Sequence, residues 1–172
     1  MPRYTIKVPL SVNGMRDLKK KISTIERNVP KIEQKFIKKS VDFMEERAKF
    51  YIRTTTGGSS WYQLTHTLEN SFLKDYQMKK LINYCFYSAY VEFGTGIIGK
   101  GTHPQSQTYQ YDVNNHGDNG WYFFDDNGNL HWTKGMKAHA YMYNTVVDYF
   151  YKEEYKRLFN EAANEVLGGI LK

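Results

Sequence analysis

The sequence predicts an α+β domain: an antiparallel sheet with a long N-terminal helix and a C-terminal helix. Three observations carry this. Apolar residues over 15–36 recur at spacings of three and four, the period of a helix face. Segments rich in aromatic and branched residues follow in the middle of the chain. An Asn-Gly pair flanked by aromatic runs marks a β-hairpin near residue 128.

In chain order, residues 3–10 read as a short strand with Tyr4, Ile6 and Val8 on one face, ended by Asn13-Gly14. Met15, Leu18, Ile22, Ile25, Val29, Ile32 and Phe36 then form one helical stripe. Pro30 lies inside it, but the stripe keeps its phase, which predicts a kinked helix or two nearly collinear ones. A second stripe, Ile37, Val41, Met44, Ala48 and Tyr51, carries the helix to about residue 53. One stripe suffices to cover the chain's own sheet, so Ile37, Val41 and Met44 are expected to meet another chain. The Thr, Gly and Ser of 54–60 form a loop, and 61–70 a short helical or turn segment.

Segments 71–76 and 80–87 read as strands, and so does the apolar run 89–93, which Gly94-Thr95-Gly96 ends. Residues 97–120 form a long polar loop. The hairpin spans 121–133, its Asn127-Gly128 suited to a type I′ turn. Asn144 is the expected cap of a last helix whose apolar face includes Val147, Phe150, Leu158, Ala162 and Val166. The whole, 1–172, reads as a single domain: strand and long basic helix to 53, loop to 60, then sheet, hairpin and helix.

Composition narrows the function. The chain is 41% hydrophobic and 24% charged, which is globular rather than disordered. Its 15 Tyr suit half-wet surfaces such as subunit contacts. Cys85 is the sole cysteine, so no intrachain disulfide forms, and a small buried hydrophobe is the expected role. No apolar run is long enough for a membrane span, and the first residues lack a signal peptide's apolar stretch, so a cytoplasm is expected. The net charge of +6 is uneven: residues 1–53 carry 14 Lys/Arg against 6 Asp/Glu, the remainder 10 against 12. A basic segment of this kind fits a solvated helix face, an acidic partner or a nucleic acid.

Chemistry finds few candidates. Gly94-Thr95-Gly96 and Gly99-Lys100-Gly101-Thr102 lack the remaining glycines of phosphate cradles. His66, His103, His116, His131 and His139 are scattered, with no metal-ligand spacing; His103 and His116 share one loop with Asp112 and Asp118. Asp125 and Asp126 suit a turn better than an acid pair. Glu92, between Val91 and Phe93, is the exception: a carboxylate there needs a charged partner or backbone N–H groups. A structural ion pair is the favoured explanation and catalysis the other. No catalytic, cofactor-binding or metal-binding residue is assigned.

Four segments in order resemble a family of tailed-bacteriophage neck and tail components. The central one is Ala89 followed by Tyr90, Val91, Glu92, Phe93, Gly94, Thr95 and Gly96. Upstream, Thr65-His66-Thr67-Leu68-Glu69-Asn70-Ser71-Phe72 is similar to the family's Thr-Gly-x-Leu-x-x-Ser-Ile. Downstream, Trp121 to Trp132 resembles its tryptophan hairpin, and Ala138-His139-Ala140-Tyr141-Met142 its Ala-x-Pro-Phe-Met. His66, Ala140 and Tyr141 stand where the family has Gly, Pro and Phe. The resemblance implies a non-enzymatic virion component, assembled in the host cytoplasm as a ring at the head–tail junction. Its implied partners are further copies of itself, adjacent head-closure and tail proteins, and phage DNA in transient proximity, with no membrane. Trp121 and Trp132 join Ile37, Val41 and Met44 as expected subunit contacts. The alternatives are a nucleic-acid-binding module using the basic helix and a hydrolase using Glu92 or the loop histidines.

Overall fold

A computed structural model describes residues 8–55, 66–108, 119–125 and 127–168. Ser11 opens the first helix, α1 (Val12–Thr55): its Oγ accepts the Gly14 N–H at 3.1 Å, the bond an N-cap side chain makes. Asn13 and Gly14 therefore lie in the first helical turn instead of breaking the chain. A Cβ on Gly14 would meet the Pro9 carbonyl oxygen at 2.0 Å, so the entry to α1 requires glycine. Of the expected first strand, 1–7 lie outside the described residues and 8–10 are not a strand. α1 continues through Pro30 as one helix of 44 residues, about 66 Å long at the usual rise per residue. It also takes in Thr54 and Thr55 of the expected loop; 56–60 lie outside the described residues.

α2 (Thr67–Asn70) precedes β1 (Phe72–Asp75) and β2 (Lys80–Asn83), which pair antiparallel with Phe72 opposite Asn83. The second strand is shorter than expected because the Asn83 side chain turns the chain. Its Oδ1 accepts the Cys85 N–H, and its Nδ2 donates to the Leu68 carbonyl. The run 89–93 is a helix, α3 (Ser88–Phe93), not a strand, and it buries Val91 and Glu92 side by side. A short apolar run carries too few residues to separate the two periods. α4 (Gly96–Gly99) and turns to 108 replace the start of the expected polar loop.

β3 (Trp121–Phe124) and β4 (Leu130–Thr133) form the expected hairpin, a second two-stranded sheet separate from the first. Its turn differs from type I′. Gly128 takes φ 79° and donates to the Asp125 carbonyl, and the Asp125 N–H donates to the Asn129 carbonyl, so the loop is longer than a two-residue turn. Asp125 Oδ1 accepts from the N–H groups of Asn127 and Asn129, and Oδ2 meets His131 at 2.9 Å.

The last helix is two: α5 (Tyr141–Tyr151) and α6 (Glu154–Leu167), divided where Glu153 takes a left-handed φ of 57°. Asn144 lies inside α5 and is not its cap. The two run back along α1. Tyr141 packs with Ala48 and Ile52, and Tyr149 bonds Ser40 at 2.9 Å. Phe159 meets Phe36 edge-on, and Ala162, Ala163 and Leu167 pack on Ile32. Burial of this continuous seam is the main stabilising term.

Val41 is thus buried inside its own chain, and Ile37 and Met44 are half-buried, so the face expected to meet another chain is covered in part from within. Two lysines of the basic segment for which an acidic partner was one expectation are likewise paired internally. Lys35 and Lys39 bind Glu165 at 2.7 and 2.8 Å.

Arg53 holds the buried Glu69 carboxylate at about 2, with help from His66 and against burial. Burial pushes Asp42 up, but hydrogen bonds from Lys38, Lys74 and Tyr76 bring it down to about 2. Both groups sit below their unfolded values, so their stabilisation is complete above about pH 5 and is lost as pH falls toward 2. The melting temperature is expected to drop through that window, and Glu69→Gln to flatten the drop; a variant with the wild-type acid profile would show that Glu69 is not coupled to folding.

Pro30 is exposed and deprives the Glu26 carbonyl of its helical donor. An interior proline costs about 3 kcal/mol, offset in part by the entropy it removes from the unfolded chain. Pro30→Ala is expected to gain about 2 kcal/mol in urea unfolding. A lowered midpoint would mean that α5 and α6 need the proline geometry.

Candidate functional site

The segment from Tyr90 to Gly96 ends α3, turns, and starts α4, and it is stitched to the chain between Lys134 and Tyr143. Helix ends leave carbonyls without partners. Here His139 N–H donates to the Val91 carbonyl at 2.9 Å and Ala140 N–H to that of Glu92 at 3.0 Å. Thr95 and Met136 exchange two backbone bonds, 2.9 and 3.1 Å. Gly94 has φ 80°, and a Cβ there would meet Ala138 N and Met136 O, each at 2.7 Å. Gly96 has φ 61° and lies under the Trp121 ring, so the hairpin closes on the same turn.

The Glu92 side chain completes the joint. Ala140, at the start of α5, offers no capping side chain. Glu92 Oε2 accepts the Met142 N–H at 2.8 Å, and Oε1 accepts that of Tyr143 at 3.0 Å. These are the second and third residues of α5, the donors an N-cap normally satisfies. The helix dipole favours a negative charge there. A third partner is His103, buried between the rings of Phe93 and Tyr143, with Nε2 3.3 Å from Oε1. His103 Nδ1 accepts the Gln105 N–H at 3.1 Å. Nε2 therefore carries the proton and donates it to the carboxylate.

The pairing of Glu92 with a histidine from the polar loop was not expected from the sequence, although the need for buried N–H partners was. Both oxygens of Glu92 and Nδ1 of His103 hold backbone N–H groups, and Nε2 of His103 is taken up by the carboxylate itself. The arrangement does structural work at an α5 terminus, and a substrate would have to displace those bonds. His139 lies nearby; burial pushes its imidazole below the usual value, against the pull of the Glu92 charge. Its Nδ1 is buried without a hydrogen-bond partner among the described residues.

Cys85 is buried in the first core cluster. Among the described residues no group of three His, Cys, Asp or Glu could hold a metal ion, and no helix is long and apolar enough to cross a membrane. Asp112, His116 and Asp118 lie outside the described residues, as does Asp126.

Two apolar surfaces flank this joint. A groove of about 600 Å³ lies between α3 and α5, lined by Phe93, Tyr143, Val146, Phe150 and Tyr151 and bordered by Glu92 and His103. Phe150 and Tyr151 at its edge are 55% and 84% exposed. The second surface is the outer face of the hairpin. Tyr122 pairs across with Trp132 and Phe124 with Leu130, and all four are exposed, by 48 to 71%. Trp121 and Phe123 alternate onto the inner, half-buried face. Of the two tryptophans expected at subunit contacts, Trp132 is on the exposed surface and Trp121 is turned inward.

Comparison of the chain with models of protein families, with curated proteins and with solved structures gave no match.

Glu92→Gln would point an amide N–H₂ at an N–H or at His103 and remove the charge from three bonds. A loss of about 2–4 kcal/mol is expected in chemical unfolding, since it strands buried donors. An unchanged unfolding midpoint would mean that α5 is held by packing alone.

Proposed function

We propose that the chain is a structural virion protein of a tailed-bacteriophage head–tail junction, a neck or tail-completion component that joins tail to head as a ring of copies. The observation that carries this reading is the pair of separate exposed apolar surfaces, the hairpin face and the α3–α5 groove. A ring is built from head-to-tail contacts, which take two different patches per subunit. In the proposed contact the hairpin face of one copy enters the groove of the next.

The segments that resemble the family also support it. The central one and the one before α5 are bonded to each other through Glu92, and the hairpin rests on Gly96 through Trp121. His66, standing where the family has glycine, takes the left-handed φ of 56° that glycine favours. Ala140 departs from the pattern. Its φ of 50° is closed to the family's proline, so the entry to α5 is built differently here. On this reading the protein works by contact, without catalysis, and is found in the virion after assembly in the host cytoplasm.

The test is to replace Phe124 and Leu130 together by Ser in the phage or prophage that encodes the chain. Both are exposed, so the fold should hold, checked by circular dichroism. Full heads and full tails that fail to join, seen by electron microscopy, are expected. Joined particles at the wild-type level would overturn the hairpin contact, and absence of the protein from purified virions would overturn the reading as a whole.

A further inference from the structure

The cations of α1 divide sharply. Lys35, Lys38, Lys39, Arg47, Lys49 and Arg53 are each in an ion pair. Arg16, Lys19, Lys20, Lys21, Arg27 and Lys31 stand with only Asp17 and Glu26 among them, and none of these eight is ion-paired within the described residues. Ile25 is the first α1 residue in the cluster formed with α6, so 12–24 run on beyond that seam.

Four of the unpaired cations share one face. Arg16, Lys20, Arg27 and Lys31 follow at spacings of four, seven and four, all are exposed, and they fall within about 60° on a helical wheel. They point roughly opposite to Ile25, Ile32 and Phe36, and so away from α6. Ser23 and Thr24 lie between them, and no large apolar residue does.

We infer that this face of α1 binds the phosphodiester backbone of a nucleic acid, an inference that does not depend on the ring reading. A protein partner would need an apolar core to its interface, which this face lacks. A membrane surface helix carries aromatic or leucine residues on a free apolar side with cations beside it. Here residues 12–31 hold no aromatic and a single leucine, Leu18, and the cations stand opposite an apolar stripe that α6 covers from Ile25 onward, leaving Met15 and Ile22 ahead of it exposed. Backbone binding needs only charge and small donors, which lysine, arginine, serine and threonine supply. The row from 16 to 31 is about 22 Å long, and a duplex presents about a dozen phosphates over that length.

The test titrates the full-length chain into a short, mixed-sequence, dye-labelled DNA duplex and reads anisotropy as a function of salt. For four neutralised phosphates the slope of log K against log salt is about −3.6, so affinity should fall about 100-fold between roughly 50 and 200 mM salt. Arg16→Gln, Lys20→Gln, Arg27→Gln and Lys31→Gln together should abolish binding and the slope while leaving the helical circular dichroism unchanged. A charge-matched control, Lys80→Gln, Lys100→Gln, Lys134→Gln and Lys137→Gln, should keep both. An RNA duplex of the same sequence tells which backbone is preferred, and binding to either supports the inference. No binding at low salt, an equal loss in the control, or binding to phosphatidylglycerol vesicles in place of both duplexes would overturn it.

Discussion

The rest of the fold depends on the Glu92 carboxylate. α5 begins at a residue with no capping side chain, and its first N–H groups point into the protein. A buried amide without a partner costs as much as several ordinary hydrogen bonds contribute. The chain meets this need from 50 residues away, with an anion that matches the positive end of the helix dipole. Two links follow from that one contact. α5 carries Tyr141, Asp148 and Tyr149 onto α1, so Glu92 sets where α3 sits relative to the long helix. The turn after α3 carries Thr95 and Gly96, against which the hairpin closes. Hairpin and helix pair are therefore referred to a single carboxylate.

α1 has two parts with different physical roles. From Ile32 onward it is an internal scaffold: one side meets α5 and α6, and its cations are balanced by Glu45, Glu69, Asp148 and Glu165, among others. Asp148 shows how this is done. It is buried and takes bonds from Arg47, Tyr51 and Lys152, so its charge is compensated from both helices. Before Ile32 the balance stops, and Pro30 lies close to the boundary. Unpaired surface cations contribute little to stability, so their grouping on one outward face calls for an explanation outside the fold.

Much of this was legible in the sequence. The three-four spacing was continuous through Pro30, and the helix is continuous too, because packing on α6 at Ile25, Ile32 and Phe36 outweighs one lost hydrogen bond. The hairpin was legible from its flanking aromatics. Glu92 stood out as a carboxylate in an apolar setting, and its need for N–H donors followed from solvation alone. Its partners did not, since Met142 and Tyr143 are distant in sequence and His103 comes from a stretch that read as polar loop. The left-handed residues His66, Lys79, Ala140 and Glu153 gave no local sign, none being glycine or asparagine, and so the break between α5 and α6 was missed. The second stripe was misassigned for a related reason. Without that break the last helix could not be laid along α1, and Val41 was left apparently uncovered.

The hairpin is the element whose own energetics point beyond the chain. An isolated two-stranded sheet is marginal in water. This one is held by its inner face, through Trp121 over Gly96, while Tyr122, Phe124, Leu130 and Trp132 add little to the folded monomer. Covering four half-exposed side chains of that size would release on the order of 5 kcal/mol. Association costs about as much in lost translational and rotational freedom. A single such contact therefore leaves two free copies near balance, whereas a subunit docked on a preformed end has already met that cost through other contacts. On the proposed reading, this favours copies that add to a growing particle over rings that close in free solution, and it gives a physical reason for keeping so apolar a surface on a chain with a net charge of +6.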